Sequence, residues 1–139
     1  MPAMPEETLL AFDYGTRKIG VALGNTLTGQ ARPLRILTPV TREQRFSQVA
    51  ALLDEWRPDR VIVGLPLTLD GGEQPASRLA RRFANQLQGR FGAVVELVDE
   101  RGSSLEAQRL LGTHAADDAM AACVILQRYL DARIPAARV

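Results

Sequence analysis

Apolar residues recur along the chain with two different periods, and each change of period marks a passage between strand and helix. Thr8–Phe12 and Ile19–Leu23 are short apolar runs separated by Asp13-Tyr-Gly-Thr-Arg-Lys18. The glycine suits a tight reversal, so the two runs read as an antiparallel hairpin. A third strand is expected near Ala31–Leu37, after the Gly24–Gln30 turn. Over Thr41–Trp56 the period lengthens: Phe46, Val49, Leu52, Leu53 and Trp56 fall at helical spacing, and the helix must stop before Pro58. Arg60–Gly64 is a β-branched run of the kind buried on both faces. Pro75–Leu87 returns to helical spacing through Leu79, Phe83 and Leu87, and Ala93–Val98 is another strand. Ser103–Leu111 and about Ala115–Asp131 are the last helices, with Gly112 as the stop signal between them.

Short turns make the first three strands antiparallel, and helical crossovers set the Arg60 and Ala93 strands parallel to the first. The expected fold is α/β: a five-stranded mixed sheet of order 3-2-1-4-5, strand 2 antiparallel, flanked by helices. With 139 residues and no repeat or long linker, one domain spanning residues 1–139 is expected, with residues 1–6 and 133–139 disordered.

In this topology the carboxyl ends of strands one, four and five open on one edge, where ligand crevices form. Asp13 caps the first, Gly64-Leu-Pro66 follows the second, and Asp99-Glu100 ends the third. Acids at strand ends are also ordinary turn formers and caps; their coincidence is what points to a site. Asp118 adds a third carboxylate, because it extends the core-facing stripe of Ala122, Ile125, Leu126 and Tyr129. Asp117 lies on a stripe with Ala121, Val124 and Arg128 that ends in a charge and faces solvent. A carboxylate aimed at the sheet costs several kcal/mol unless paired or bound to a cation. Its partner is then either a metal or an arginine such as Arg101 or Arg17. Asp13, Glu100 and Asp118 together make a hard, all-oxygen set suited to Mg²⁺ or Mn²⁺ and to metal-assisted phosphodiester hydrolysis.

Composition narrows this picture only a little. The net charge of +1 is nearly balanced, so any nucleic-acid footprint must be local. Of the seventeen basic residues only Lys18 is a lysine. Cys123 is the only cysteine, which excludes an intrachain disulfide and fits a reducing cytoplasm, and it reads as a core residue. His114 is the only histidine and sits in no Ser-His-Asp pattern. The acidic start lacks the regions of a signal peptide, and nothing reaches membrane-spanning length, so a cytoplasmic protein without membrane contact is expected. Asp13-Tyr-Gly-Thr16 with Gly20 is similar to the phosphate-binding hairpin of the actin, hexokinase and Hsp70 ATPases, but those clamp ATP between two such domains.

Taken together, Leu9-Leu-Ala-Phe-Asp13-Tyr-Gly-Thr-Arg-Lys-Ile-Gly-Val-Ala22, Gly64-Leu-Pro66 with Asp70-Gly71, Asp99-Glu-Arg101, and Asp118 before Ala121-Ala122 resemble the YqgF (RuvX) family nearly end to end. The resemblance implies the RNase-H-like fold shared with the RuvC Holliday-junction resolvases, and a nuclease maturing the 5′ end of pre-16S ribosomal RNA. It also implies Asp13, Glu100 and Asp118 as the acidic triad. Asp99 is the alternative to Glu100, because one residue at a strand end swaps which side chain faces the crevice. The chain departs from the family pattern at Gly102, at Thr68, and in a short Leu111–Asp118 segment without a lysine.

Around the acidic edge, Arg17, Lys18 and Arg101, with Arg78, Arg81 and Arg82 at the start of the second helix, are candidates to hold a nucleic-acid backbone. For Arg78, Arg81 and Arg82 a solvated helix face is the other reading. The Pro66–Pro75 loop is expected to overhang the crevice. The leading function is therefore a metal-dependent nuclease of ribosome biogenesis, with pre-16S rRNA or ribosomal particles as partners and a monomer or weak homodimer as its state. A four-way DNA junction resolvase and a non-catalytic RNA-binding or transcription-associated factor are the alternatives.

Overall fold

The structure, a computed structural model, describes residues 6–101 and 118–133. The expected helix Ser103–Leu111, the Gly112 stop, Gly102, His114, Asp117 and most of the two termini lie outside the described residues. Strand β1 (Thr8–Tyr14) pairs antiparallel with β2 (Ile19–Asn25), and β2 antiparallel with β3 (Gln30–Leu37). Helix α1 (Arg42–Trp56), β4 (Arg60–Leu65), α2 (Pro75–Phe91), β5 (Val95–Asp99) and α3 (Asp118–Arg133) follow. The five strands form one sheet of order β3-β2-β1-β4-β5, with β4 parallel to both β1 and β5. This is the expected topology. Pro33, which cannot donate to a ladder, is tolerated because β3 is an edge strand with an irregular register opposite Val21 and Ala22.

Side chains of β1 alternate between two packed faces. Leu10 and Phe12 join Val61, Val63, Val49, Leu52, Phe83 and Leu87 under α1 and α2. Leu9 and Ala11 join Ile62, Ala122, Ile125, Leu126 and Leu130 under α3. Because β1 is central and covered on both sides, Leu9–Phe12 are fully buried, which is why the strand reads as a continuous apolar run.

Helix ends follow their local chemistry. The Thr41 hydroxyl accepts from the Gln44 N–H at 3.1 Å, and Arg57 closes α1 in a left-handed conformation (φ 44°) just before Pro58. Pro75 opens α2, and the Ser77 hydroxyl accepts from the Gln74 N–H at 3.0 Å. This helix runs four residues past Leu87. Gly89 costs only about 1 kcal/mol mid-helix, Phe91 continues the spacing to meet Phe46, and the stop is Gly92 at φ 65°. Leu79, expected on the core stripe, is 39% exposed; Ala80 and Ala84 fill that position instead.

Candidate active site

Asp13 lies inside β1, on the same side as Leu9 and Ala11, and therefore faces α3. Its neighbour on β2 is Gly20. On the other side the β1–β4 register ends at Phe12 beside Val63, which brings Asp13 level with Gly64. Both lateral positions are thus glycine, leaving a notch around the Asp13 side chain on the α3 face.

Glu100 closes this notch. Its N–H extends the β4–β5 ladder by donating to the Leu65 carbonyl at 3.1 Å, and its carboxylate lies over Gly64. A Cβ on Gly64 would stand 3.0 Å from the Glu100 carboxylate and 2.6 Å from Ile125 Cδ1. Gly64 is therefore needed for its missing side chain. Sequence reading placed Gly64 in a motif without this role; a glycine interrupting a β-branched run was the available signal.

Asp99 occupies the opposite side of β5, in register with Val95, which packs toward α2. It accepts from the Arg101 N–H at 2.9 Å and from Arg101 Nε at 2.7 Å. The guanidinium bond holds the Asp99 carboxyl below its usual range. Arg101 is further tied to the Leu69 carbonyl at 3.2 Å, so its charge is already engaged. Of the two acids at this strand end, Glu100 shares a face with Asp13, and Asp99 serves as an anchor for Arg101.

Helix α3 runs antiparallel to β4: Tyr129 Oη donates to Glu96 Oε2 at 2.7 Å near the start of β5, whereas Ile125 abuts Gly64 near the end of β4. The amino end of α3 is thereby directed to the edge that holds Asp13 and Glu100. Asp118 is the first residue of this helix, one turn before buried Ala122; its side chain lies outside the described residues. Among the described residues no group of three or more His, Cys, Asp or Glu is gathered. Asp13 and Glu100, on the same face at this edge of the sheet, offer carboxylate oxygens beside a glycine position, a donor type that suits a hard cation.

Arg17 and Lys18 are exposed in the β1–β2 turn and line a shallow recess with Asp13. That turn needs Gly15, where a Cβ would stand 2.5 Å from the Lys18 carbonyl. The three α2 arginines do not act as one patch. Arg81 pairs with Glu73 at 2.7 Å, Arg78 is exposed, and Arg82 lines a cleft with Tyr14 and Thr16 on the α1–α2 side. The Pro66–Pro75 loop is a compact turn rather than an open lid: the Thr68 N–H donates to the Gly72 carbonyl at 2.9 Å, and Thr68 and Gly72 both donate to Asp70. The Thr68 hydroxyl bond holds the Asp70 carboxyl below its usual range. Cys123 is half-buried in α3, and burial pushes its thiol pKa up. Among the described residues no helix is long and apolar enough to cross a membrane.

Comparison with solved structures supports the fold. RuvC of T. thermophilus, bound to a Holliday junction substrate, matches with a TM-score of 0.56 at 18% identity over 91% of this chain and 94% of that one. The Fowlpox virus resolvase, in complex with Holliday junction DNA, matches at 0.58 with 14% identity over 92% and 99%. At such identities the likeness is one of architecture, and the architecture is RNase-H-like. Sequence relatives are much nearer. A protein of Bordetella parapertussis named "Putative pre-16S rRNA nuclease" is 74% identical over 92% of this chain and 96% of its own length. One of the same name from Cupriavidus necator is 56% identical over 89% and 88%. The RuvX family, described as Holliday junction resolvase, matches residues 7–132. Matched over nearly all of its length by that family and by these relatives, the chain belongs to the RuvX family.

Proposed function

We propose that this chain is a metal-dependent nuclease, a single domain over residues 1–139, that hydrolyses phosphodiester bonds at the 5′ end of pre-16S rRNA during ribosome biogenesis in the cytoplasm. The observation that supports this reading is the placement of Asp13 and Glu100 on the α3 face at one edge of the sheet, beside Gly20 and Gly64. The nuclease relatives supply the substrate class.

Asp13 and Glu100, with Asp118 from the start of α3, would hold Mg²⁺ or Mn²⁺ through oxygen donors alone. When bound, such an ion polarises the phosphoryl oxygens and makes water a better nucleophile at neutral pH. Asp13 and Glu100 keep their carboxylates on one side because strand alternation and the Leu65 carbonyl bond fix their backbones. Arg17 and Lys18, exposed beside Asp13, would position the phosphate backbone without reading its sequence.

A four-way DNA junction is the second substrate to consider, because the family description names that activity. Paired nicks would need two copies of the site in a dimer, whereas RNA trimming needs one. The test offers 5′-extended 16S precursor RNA and a four-way junction to wild type and Asp13→Asn, with and without Mg²⁺ or Mn²⁺. Metal-dependent cleavage of the RNA that vanishes in Asp13→Asn is expected. Cleavage of the junction alone would shift the assignment to resolvase, and cleavage of neither to a binding factor associated with RNA or transcription.

A further inference from the structure

On the side of the sheet away from Asp13 and Glu100, α1 and α2 diverge around a cleft of about 270 Å³. Arg42, Arg45 and Arg82 enter it from the two helices, with Tyr14 and Thr16 at the β1–β2 turn. Arg90 extends the same side of α2, two turns beyond Arg82 at i+8. Arg35, Arg57, Arg60, Arg81 and Arg101, by contrast, each face a carboxylate. Arg42, Arg45, Arg82 and Arg90 have no carboxylate partner among the described residues. Three of them are held instead on aromatic rings: Arg90 lies 4.0 Å and Arg42 5.7 Å from the Phe46 centroid, and Arg45 lies 5.5 Å from that of Tyr14. Arg45 Nε is shut off from solvent with no hydrogen-bond acceptor among the described residues. Tyr14 is in turn stacked on buried Phe83 at 4.6 Å, which anchors this platform to the core.

Like charges held together without counter-charge disfavour one another, and a buried donor without an acceptor is costly. An anion with several oxygens relieves both, and guanidinium forks match phosphate geometry. Arg82 and Arg90 are about 12 Å apart along the helix, further than one phosphate spans, so a chain of phosphates fits better than a single anion. The cleft and the carboxylate notch flank the same turn, Asp13–Lys18.

We propose that the α1–α2 cleft is a second phosphate-binding site, which grips single-stranded RNA flanking the scissile bond after the strand has crossed the β1–β2 turn. The proposal rests on the nuclease reading. Arg42 and Arg90, which sequence reading did not single out, become substrate-holding residues, and Arg82 acts with them rather than with Arg78 and Arg81.

The test measures binding of a fluorescein-labelled single-stranded RNA across a salt series, in the full chain carrying Asp13→Asn to prevent cleavage. Arg42→Gln/Arg82→Gln should weaken binding roughly tenfold and flatten the salt slope by about 1.4, at roughly 0.7 per phosphate contact on a single strand. Arg42→Lys/Arg82→Lys should keep most of the slope, which separates lost charge from lost folding. If the parent binds RNA and the glutamine pair leaves affinity and slope unchanged, the cleft proposal is overturned while the nuclease reading stands. If the parent binds no RNA but pyrophosphate shifts the arginine side-chain NMR signals, the cleft is a small-anion site, and both readings fail.

Discussion

On the α3 side of the sheet, Leu9 and Ala11 are sealed beneath Ala122, Ile125 and Leu126, and the edge is built from residues without bulk: Gly20, Gly64 and Ala11. On the α1–α2 side, Leu10 and Phe12 lie beneath large rings, with Phe83 edge-on to Phe12 at 5.6 Å and Phe46 near Phe91 at 6.4 Å. The small residues leave room for two carboxylates to come together. The large ones give arginines flat surfaces to lie on. The two faces thus separate an acidic site from a basic one, and the β1–β2 turn borders both.

The sharpest way to break this comparison is to neutralise the acids at this edge one at a time. Asp13→Asn and Glu100→Gln should each lower metal-dependent cleavage by about a thousandfold, roughly 4 kcal/mol of transition-state stabilisation. Asp99→Asn should leave turnover within a few-fold of wild type. Its effect is on stability: the Arg101 bond lowers the folded-state pKa, so its contribution is present above about 3.8 and lost as pH falls through the lower folded value. A loss of turnover in Asp99→Asn equal to that in Glu100→Gln would reverse the assignment of faces.

Gly64→Ala probes the notch itself. The added methyl meets Ile125 Cδ1 and the Glu100 carboxylate, so thermal or urea unfolding should show a loss of about 1–3 kcal/mol. Adding Ile125→Val, which removes the clashing Cδ1, should recover most of the stability without recovering cleavage. Recovery of both would mean that the carboxylate does not need the glycine.

Smaller effects are expected at the far end of α3. Tyr129→Phe removes the bond to Glu96 and should cost about 1 kcal/mol, since Arg60 still pairs with Glu96 at 2.9 Å. Burial, and then the Glu96 bond, push the Tyr129 phenol up to about 12. Its stabilisation is therefore complete below 10 and lost as pH rises through about 12. Ultraviolet tyrosinate titration should show a late-ionising group that disappears in Tyr129→Phe. The smallest effect is predicted for Arg81→Ala, whose exposed pair with Glu73 should leave the melting temperature and the RNA salt slope unchanged. A slope change there as large as that of the Arg42/Arg82 pair would erase the distinction between the cleft and the rest of α2.

Much of this was legible in the chain itself, for local reasons. Continuous apolar runs marked strands buried on both faces, 3.6-residue spacing marked the helices, and turn lengths distinguished antiparallel from parallel pairing. These rules also carried Asp13 and the Asp99-Glu100 pair to one edge. Residues whose importance depends on a neighbour from another element were not legible. Gly64 matters because Glu100 and Ile125 approach it, and Arg82 parts from Arg81 because α1 brings Phe46 and Arg45 alongside.

Sequence alone determined the order of the described elements, the sheet topology and the edge at which Asp13 and Glu100 lie, because periodicity and turn chemistry act over a few residues. Only the tertiary structure decided that Glu100 rather than Asp99 shares the α3 face with Asp13, and that four arginines line the opposite one. Those outcomes depend on strand register and on how closely helices approach the sheet, and both are set by packing between segments far apart in the chain.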